Sequence, residues 1–108
     1  MPGTRYETYT RLKSTAMYAA CSPSLIGALE AVKSAGRDDL IAVGFDAAPD
    51  EIAAILAGTE TATVAQFPAK MGSLGVQAAF DAALGNDVEP NIDTGTAIVT
   101  KDNAADFQ

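Results

Sequence analysis

Histidine is absent from this chain of 108 residues. Its absence excludes a Ser-His-Asp or Cys-His arrangement, a histidine general base and any His-containing zinc site assembled from one chain. Carboxylate-only mechanisms remain possible, and no metal or other cofactor is implied. Cysteine occurs once, as Cys21, so no disulfide forms within the chain. Basic residues are scarce: seven Lys and Arg stand against fourteen Asp and Glu, a formal charge of −7. No basic block gathers phosphates, which makes nucleic acid and anionic membrane poor partners. Apolar runs never approach the roughly 18 residues that a membrane span needs. The segment Met1-Pro2-Gly3-Thr4-Arg5-Tyr6-Glu7 lacks the apolar core of a signal peptide, so the chain as written is expected to stay in the cytoplasm.

What is present is core-forming material: 48% of residues are hydrophobic and 19% charged, which suits a single packed domain. The chain is organised around Leu40-Ile41-Ala42-Val43-Gly44-Phe45-Asp46-Ala47-Ala48-Pro49, a short apolar run that reads as a buried strand turning sharply into a helix. Its neighbours repeat the arrangement. Ala16-Met17-Tyr18-Ala19-Ala20 predicts a strand, with Ser22 as N-cap and Pro23 as first residue of a helix whose apolar stripe is Leu25, Ile26, Leu29 and Val32, stopped by Gly36. Pro49 opens a second helix, with Asp50 and Glu51 in the turn where the dipole favours acids and Ile52, Ile55 and Leu56 on its apolar stripe. Thr61-Ala62-Thr63-Val64-Ala65 predicts a third strand, closed by Gln66-Phe67-Pro68. Helices between successive strands imply right-handed crossovers and a parallel sheet. Before all this, Tyr6, Tyr9 and Leu12 suit one face of a short helix to Lys13.

The third helix, expected over Ala69 to Leu84, differs from the others. Met71, Leu74, Ala78 and Ala82 make one apolar face, and Val76, Phe80 and Ala83 make another, so it wants cover on both sides. Gly72 and Gly75 would admit a closely approaching neighbour, at roughly 1 kcal/mol each in helix propensity. Thr94 to Thr100 predicts a last strand, and the polar tail from Asp102 to Gln108 reads as frayed.

Three strands thus end at Cys21, Asp46 and Gln66. Side by side and parallel, they would bring these side chains to one edge of the sheet, where open α/β folds hold ligands. A carboxylate accepts from hydroxyls, and a carboxamide both donates and accepts, so the pair suits neutral polyhydroxylated ligands. The plain structural alternative is that Asp46 bonds neighbouring loop N–H groups and Gln66 is simply solvated. Cys21 near a helix start could have an activated thiol, but no histidine is available to act as its base.

Tyr18-Ala19-Ala20-Cys21-Ser22-Pro23-Ser24-Leu25-Ile26-Gly27-Ala28-Leu29-Glu30-Ala31, Val43-Gly44-Phe45-Asp46, Thr61-Ala62-Thr63-Val64-Ala65-Gln66, Met71-Gly72-Ser73-Leu74-Gly75-Val76 and Ile92-Asp93-Thr94-Gly95-Thr96 occur in this order. Together they resemble the carboxyl-terminal part of ribose-binding-protein-like sugar-binding proteins, the type I periplasmic binding proteins of ABC import systems. The likeness runs from about Met17 to Asn103. It implies a three-layer α/β, parallel-sheet half of that fold and a sugar-binding rather than enzymatic function. Asp46 matches the family's sugar-binding aspartate and Gln66 its sugar-binding glutamine, while Cys21-Ser22 stands where an Asn-Asp pair is usual. The contact of that Asn is lost.

The family has two lobes that clamp the ligand, and the chain lacks most of the first lobe and the opening strands of the second. A truncated relative with a partial carbohydrate site is therefore the expectation, binding a monosaccharide weakly. The alternative is a non-binding remnant or self-associating module of the same fold. Either way, the two-faced third helix is expected to pair in a homodimer. The family is exported, unlike the expectation for this chain as written.

Overall fold

The computed structural model describes residues 14–108; the short helix expected over Tyr6 to Lys13 lies outside them. In chain order the elements are β1 (Ala16–Tyr18), α1 (Ser22–Ser34), β2 (Ile41–Phe45), α2 (Pro49–Ala57), β3 (Ala62–Gln66), α3 (Pro68–Ala83), β4 (Thr96–Val99) and a terminal 3-10 helix (Ala104–Phe107). The sheet order is β1-β2-β3-β4. β1 and β2 run parallel with Ala16 opposite Ile41, and β2 and β3 run parallel with Val43 opposite Ala62. The fold class is α/β, as the alternation of strands and helices requires.

The chain divides into two compact units, one made of the residues up to Ala65 with Ile98–Gln108, the other of Gln66–Ala97. In the first unit the period of two along the strands decides what is buried. Ala42 and Gly44 of β2, and Thr63 and Ala65 of β3, are buried, whereas Val43, Phe45 and Val64 between them are half-buried. α1 packs on β2 and against α2, and Leu25, Ala28, Ile52 and Ile55 from the two helices join Val99 and Ala104 in the core. Burying side chains such as Leu25 and Ile55 stabilises the unit by about 1.5–3 kcal/mol each. The rest of the expected stripes, Ile26, Leu29, Val32 and Leu56, is half-buried.

Three expectations need correction. The N-cap of α1 is the extended Cys21, with Ser22 the first helical residue. Ser22 is buried and directs its one hydroxyl proton at the Glu51 carboxylate, the stronger acceptor, with the Phe45 carbonyl also in range at 3.2 Å. β1 is shorter than expected, ending at Tyr18, although the Ala19 N–H still donates to the Val43 carbonyl at 3.0 Å. The tail is not frayed: Asn103 Oδ1 accepts from the Thr100 N–H, its amide donates to the Ile98 carbonyl, and the 3-10 helix packs on α2 with Ala104 fully buried.

In the second unit, α3 has no buried residue. Leu74 and Ala78 of the first expected face are half-buried, while Val76 at 73% and Phe80 at 59% exposure lie open. Among the described residues no neighbour approaches Gly72 or Gly75, since a Cβ built at either would meet nothing within 4 Å. After α3 the Phe67 ring lies against Gly95, 3.8 Å from where its Cβ would be, and Asp93 Oδ1 accepts from the Gly95 N–H at 2.8 Å.

Candidate ligand-binding site

Because β1, β2 and β3 are consecutive neighbours, their carboxyl ends fall along one edge of the sheet. The turn after β2 is the most constrained part of that edge. Asp46 has φ 95° and Ala47 φ 52°, both in the left-handed region that side-chain-bearing residues adopt at a cost of order 1–3 kcal/mol. Four backbone bonds hold the turn. The Asp46 N–H donates to the Val64 carbonyl at 2.9 Å, the Ala47 N–H to Thr63 Oγ1 at 3.4 Å, the Ala48 N–H to Glu51 Oε2 at 3.2 Å and the Ile52 N–H to the Ala48 carbonyl at 3.0 Å. The outcome is an exposed Asp46 carboxylate on a rigid turn beyond a strand end.

Glu51 is the centre of this support. Its side chain is fully buried, yet it accepts from the Ser22 hydroxyl of α1, the Thr63 hydroxyl of β3 at 3.0 Å and the Ala48 N–H of its own turn. Three elements are thereby tied to one carboxylate, which repays its desolvation through charge-assisted bonds. Gly44 leaves the room: a Cβ there would collide with Glu51 Oε1 and come within 2.6 Å of Leu25 Cδ2 and 2.9 Å of Glu60 Oε1. Reading Glu51 only as a first-turn acid misses this role. Its position three residues after the last non-helical residue, Ala48, was the available signal.

Cys21 caps α1 at the same edge and is exposed. Its Sγ lies 3.1 Å from Ser24 Oγ. The Ser24 hydroxyl first, and then the Ser24 backbone N–H, draw the thiol below its ordinary value, while burial and the Asp46 and Glu51 carboxylates act weakly the other way. Cys21 and Asp46 are thus electrostatic neighbours. Gln66 closes β3, is half-buried, and begins the second unit. A cavity of about 360 Å³ lies elsewhere, lined by Leu29, Lys33, Arg37, Leu40 and Gly58 among others. Leu40 precedes β2, whereas Asp46 follows it, so this cavity is not the site predicted from the strand ends. Its Arg37 is held by the Asp39 carboxylate at 2.7 Å and the Ser14 carbonyl at 2.9 Å.

An α/β sheet whose parallel strands end in polar turns and helix starts is the architecture in which ligands are held outside the carboxyl ends of the strands. Residues 6–87 match the periplasmic binding protein domain, and the chain belongs to that family. The ribose import binding protein RbsB of Escherichia coli (strain K12) is 35% identical over 86 residues, which cover 80% of this chain and 29% of that protein. A putative rhizopine-binding protein of Rhizobium meliloti is 39% identical over 85 residues, covering 77% of this chain and 28% of that one. The chain thus spans less than a third of the length of these relatives. Among solved structures, GanP, a glucose-galactose binding protein from Geobacillus stearothermophilus, superposes with a TM-score of 0.86 at 27% identity, over 92% of this chain and 36% of that one. An ABC transporter solute binding protein from Agrobacterium vitis with bound D-fucose gives 0.80 at 34% identity, over 91% of this chain and 34% of its own. No helix among the described residues is long and apolar enough to cross a membrane.

Proposed function

We propose that this chain corresponds to the carboxyl-terminal part of a sugar-binding protein of an ABC import system and carries part of a monosaccharide site. The observation that carries this reading is the Asp46 turn: a carboxylate presented on a strained, tightly bonded backbone beyond a parallel strand. Asp46 accepts from sugar hydroxyls, Gln66 at the end of β3 both donates and accepts, and Cys21 stands where relatives of the resembled type place an Asn. The function is binding, with no bond broken.

Two polar anchors on one side leave most of a monosaccharide in water, so the chain by itself binds more weakly than about 1 mM, worth at most roughly 4 kcal/mol. Calorimetry against pentoses and hexoses tests this. Weak binding abolished by both Asp46→Ala and Gln66→Ala supports it, and binding that survives both changes sinks it. Micromolar affinity would show that another chain or an unexpected pocket completes the site.

A second reading is a self-associating module, favoured by the exposure of Val76, Phe80 and Leu84 along and just beyond α3. A homodimer would cover these side chains. Light scattering at tens of micromolar decides it, a single monomeric mass being the adverse result.

A further inference from the structure

Glu60 lies between α2 and β3 and is 3% exposed, and among the described residues no N–H or hydroxyl donates to either of its carboxyl oxygens, the group it meets being the Glu51 carboxylate. It converges with the fully buried Glu51 on the space above Gly44. The walls are Leu25 and Ser22 of α1, Gly44 of β2, Glu51 of α2 and Thr63 of β3. The charge acting on Glu60 within them is that of Glu51. Two carboxylates cannot both stay ionised in such a place, because each raises the energy of the other's charge and water is not there to screen it. The two are not equivalent. Glu51 is engaged as an acceptor by two hydroxyls and a backbone N–H, while no such donor among the described residues reaches Glu60, which is the one that keeps a proton.

We propose that Glu60 and Glu51 form a proton-binding switch beneath the Asp46 turn, in which one proton buried on Glu60 leaves Glu51 free to pin Ala48 and Thr63. Loss of that proton sets two buried negative charges against each other and loosens the turn from below. This rests on the reading of Asp46 as a ligand anchor only for its effect on binding; the switch itself is a property of the fold. The Glu60 carboxyl is pushed up to about 8 from its ordinary 4.5, first by burial and then by the Glu51 charge. Since the folded chain holds this proton more tightly than the unfolded one, folding takes up a proton between those values. The stabilisation is whole below about 4.5 and declines as pH rises through about 8.

The test compares the full chain with Glu60→Gln and Glu60→Leu, which remove the titration by a polar and by an apolar route, in melts from pH 5 to pH 9. The parent should lose more than about 5 °C of Tm relative to either variant across that range. Carbon-13 shifts in the absence of sugar supply the second readout. The Glu60 carboxyl should titrate near 8, the methyls of Ala47 and Ala48 should follow it, and Glu51→Gln should move the titration down. A Glu60 carboxyl titrating at its ordinary 4.5, or Ala47 and Ala48 methyls that ignore it, overturns the proposal. Absence of sugar binding alongside an intact titration would instead remove only the functional reading of Asp46.

Discussion

The polar edge of the first unit and the long helix of the second use their side chains in opposite ways. At the edge, Glu51, Ser22 and Thr63 are polar yet buried, and each is satisfied by another element. Along and just beyond α3, Val76, Phe80 and Leu84 are apolar yet exposed, and nothing among the described residues buries them. Polar groups are tolerated inside when their bonds are complete, whereas a large apolar group outside points to a missing partner. The first region explains itself from its own residues; the second does not.

The sharpest way to break the contrast is to attack the buried network. Glu51→Ala takes the acceptor from the Thr63 hydroxyl and the Ala48 N–H and leaves the Ser22 hydroxyl only the Phe45 carbonyl, and should lower stability by about 4 kcal/mol, read by urea denaturation. Gly44→Ala drives a methyl into the same carboxylates and Leu25, and should lower it by about 3 kcal/mol. On α3, Phe80→Glu should change the stability of a monomer by no more than about 0.5 kcal/mol while dissociating a homodimer, seen as a halved mass in light scattering. An unchanged dimeric mass would locate self-association elsewhere. The smallest effect goes the other way: Gly72→Ala or Gly75→Ala, where open space surrounds the absent Cβ, should raise Tm by the equivalent of about 0.5–1 kcal/mol each. A loss at either position would mean that a partner lies close against that glycine.

β2, β3 and the starts of α1 and α2 were legible in the sequence because their signals are local: β-branched or apolar runs, then a polar residue and a proline. Asp46 was legible for the same reason, as the polar residue after Gly44-Phe45. Ser22 was misassigned because the preference for a cap is a local statement, whereas the helix starts one residue earlier than that preference implies and the Ser22 hydroxyl serves Glu51, distant in sequence. Glu60 gave no signal at all. Whether an acid lies buried after a helix depends on the room left by Gly44 on a neighbouring strand, and no window of sequence around Glu60 contains that information. The tail misled through its polarity, since Asn103 uses its amide to close the turn that seats Ala104.

The second unit, Gln66–Ala97, enters and leaves the first as an excursion between β3 and Ile98. Everything before it can be made in the order of synthesis, each strand meeting the one just formed, while Val99 and Ala104 must wait for the excursion to return before they fill the core beside α2. Loop closure depends only weakly on length, about 0.6 kcal/mol for each doubling. The first unit is therefore nearly indifferent to how long a detour the chain takes before coming back. In evolutionary terms the sheet is a dock at which detours of different length and content can be exchanged, provided that the returning residues still bring Val99 and Ala104 home.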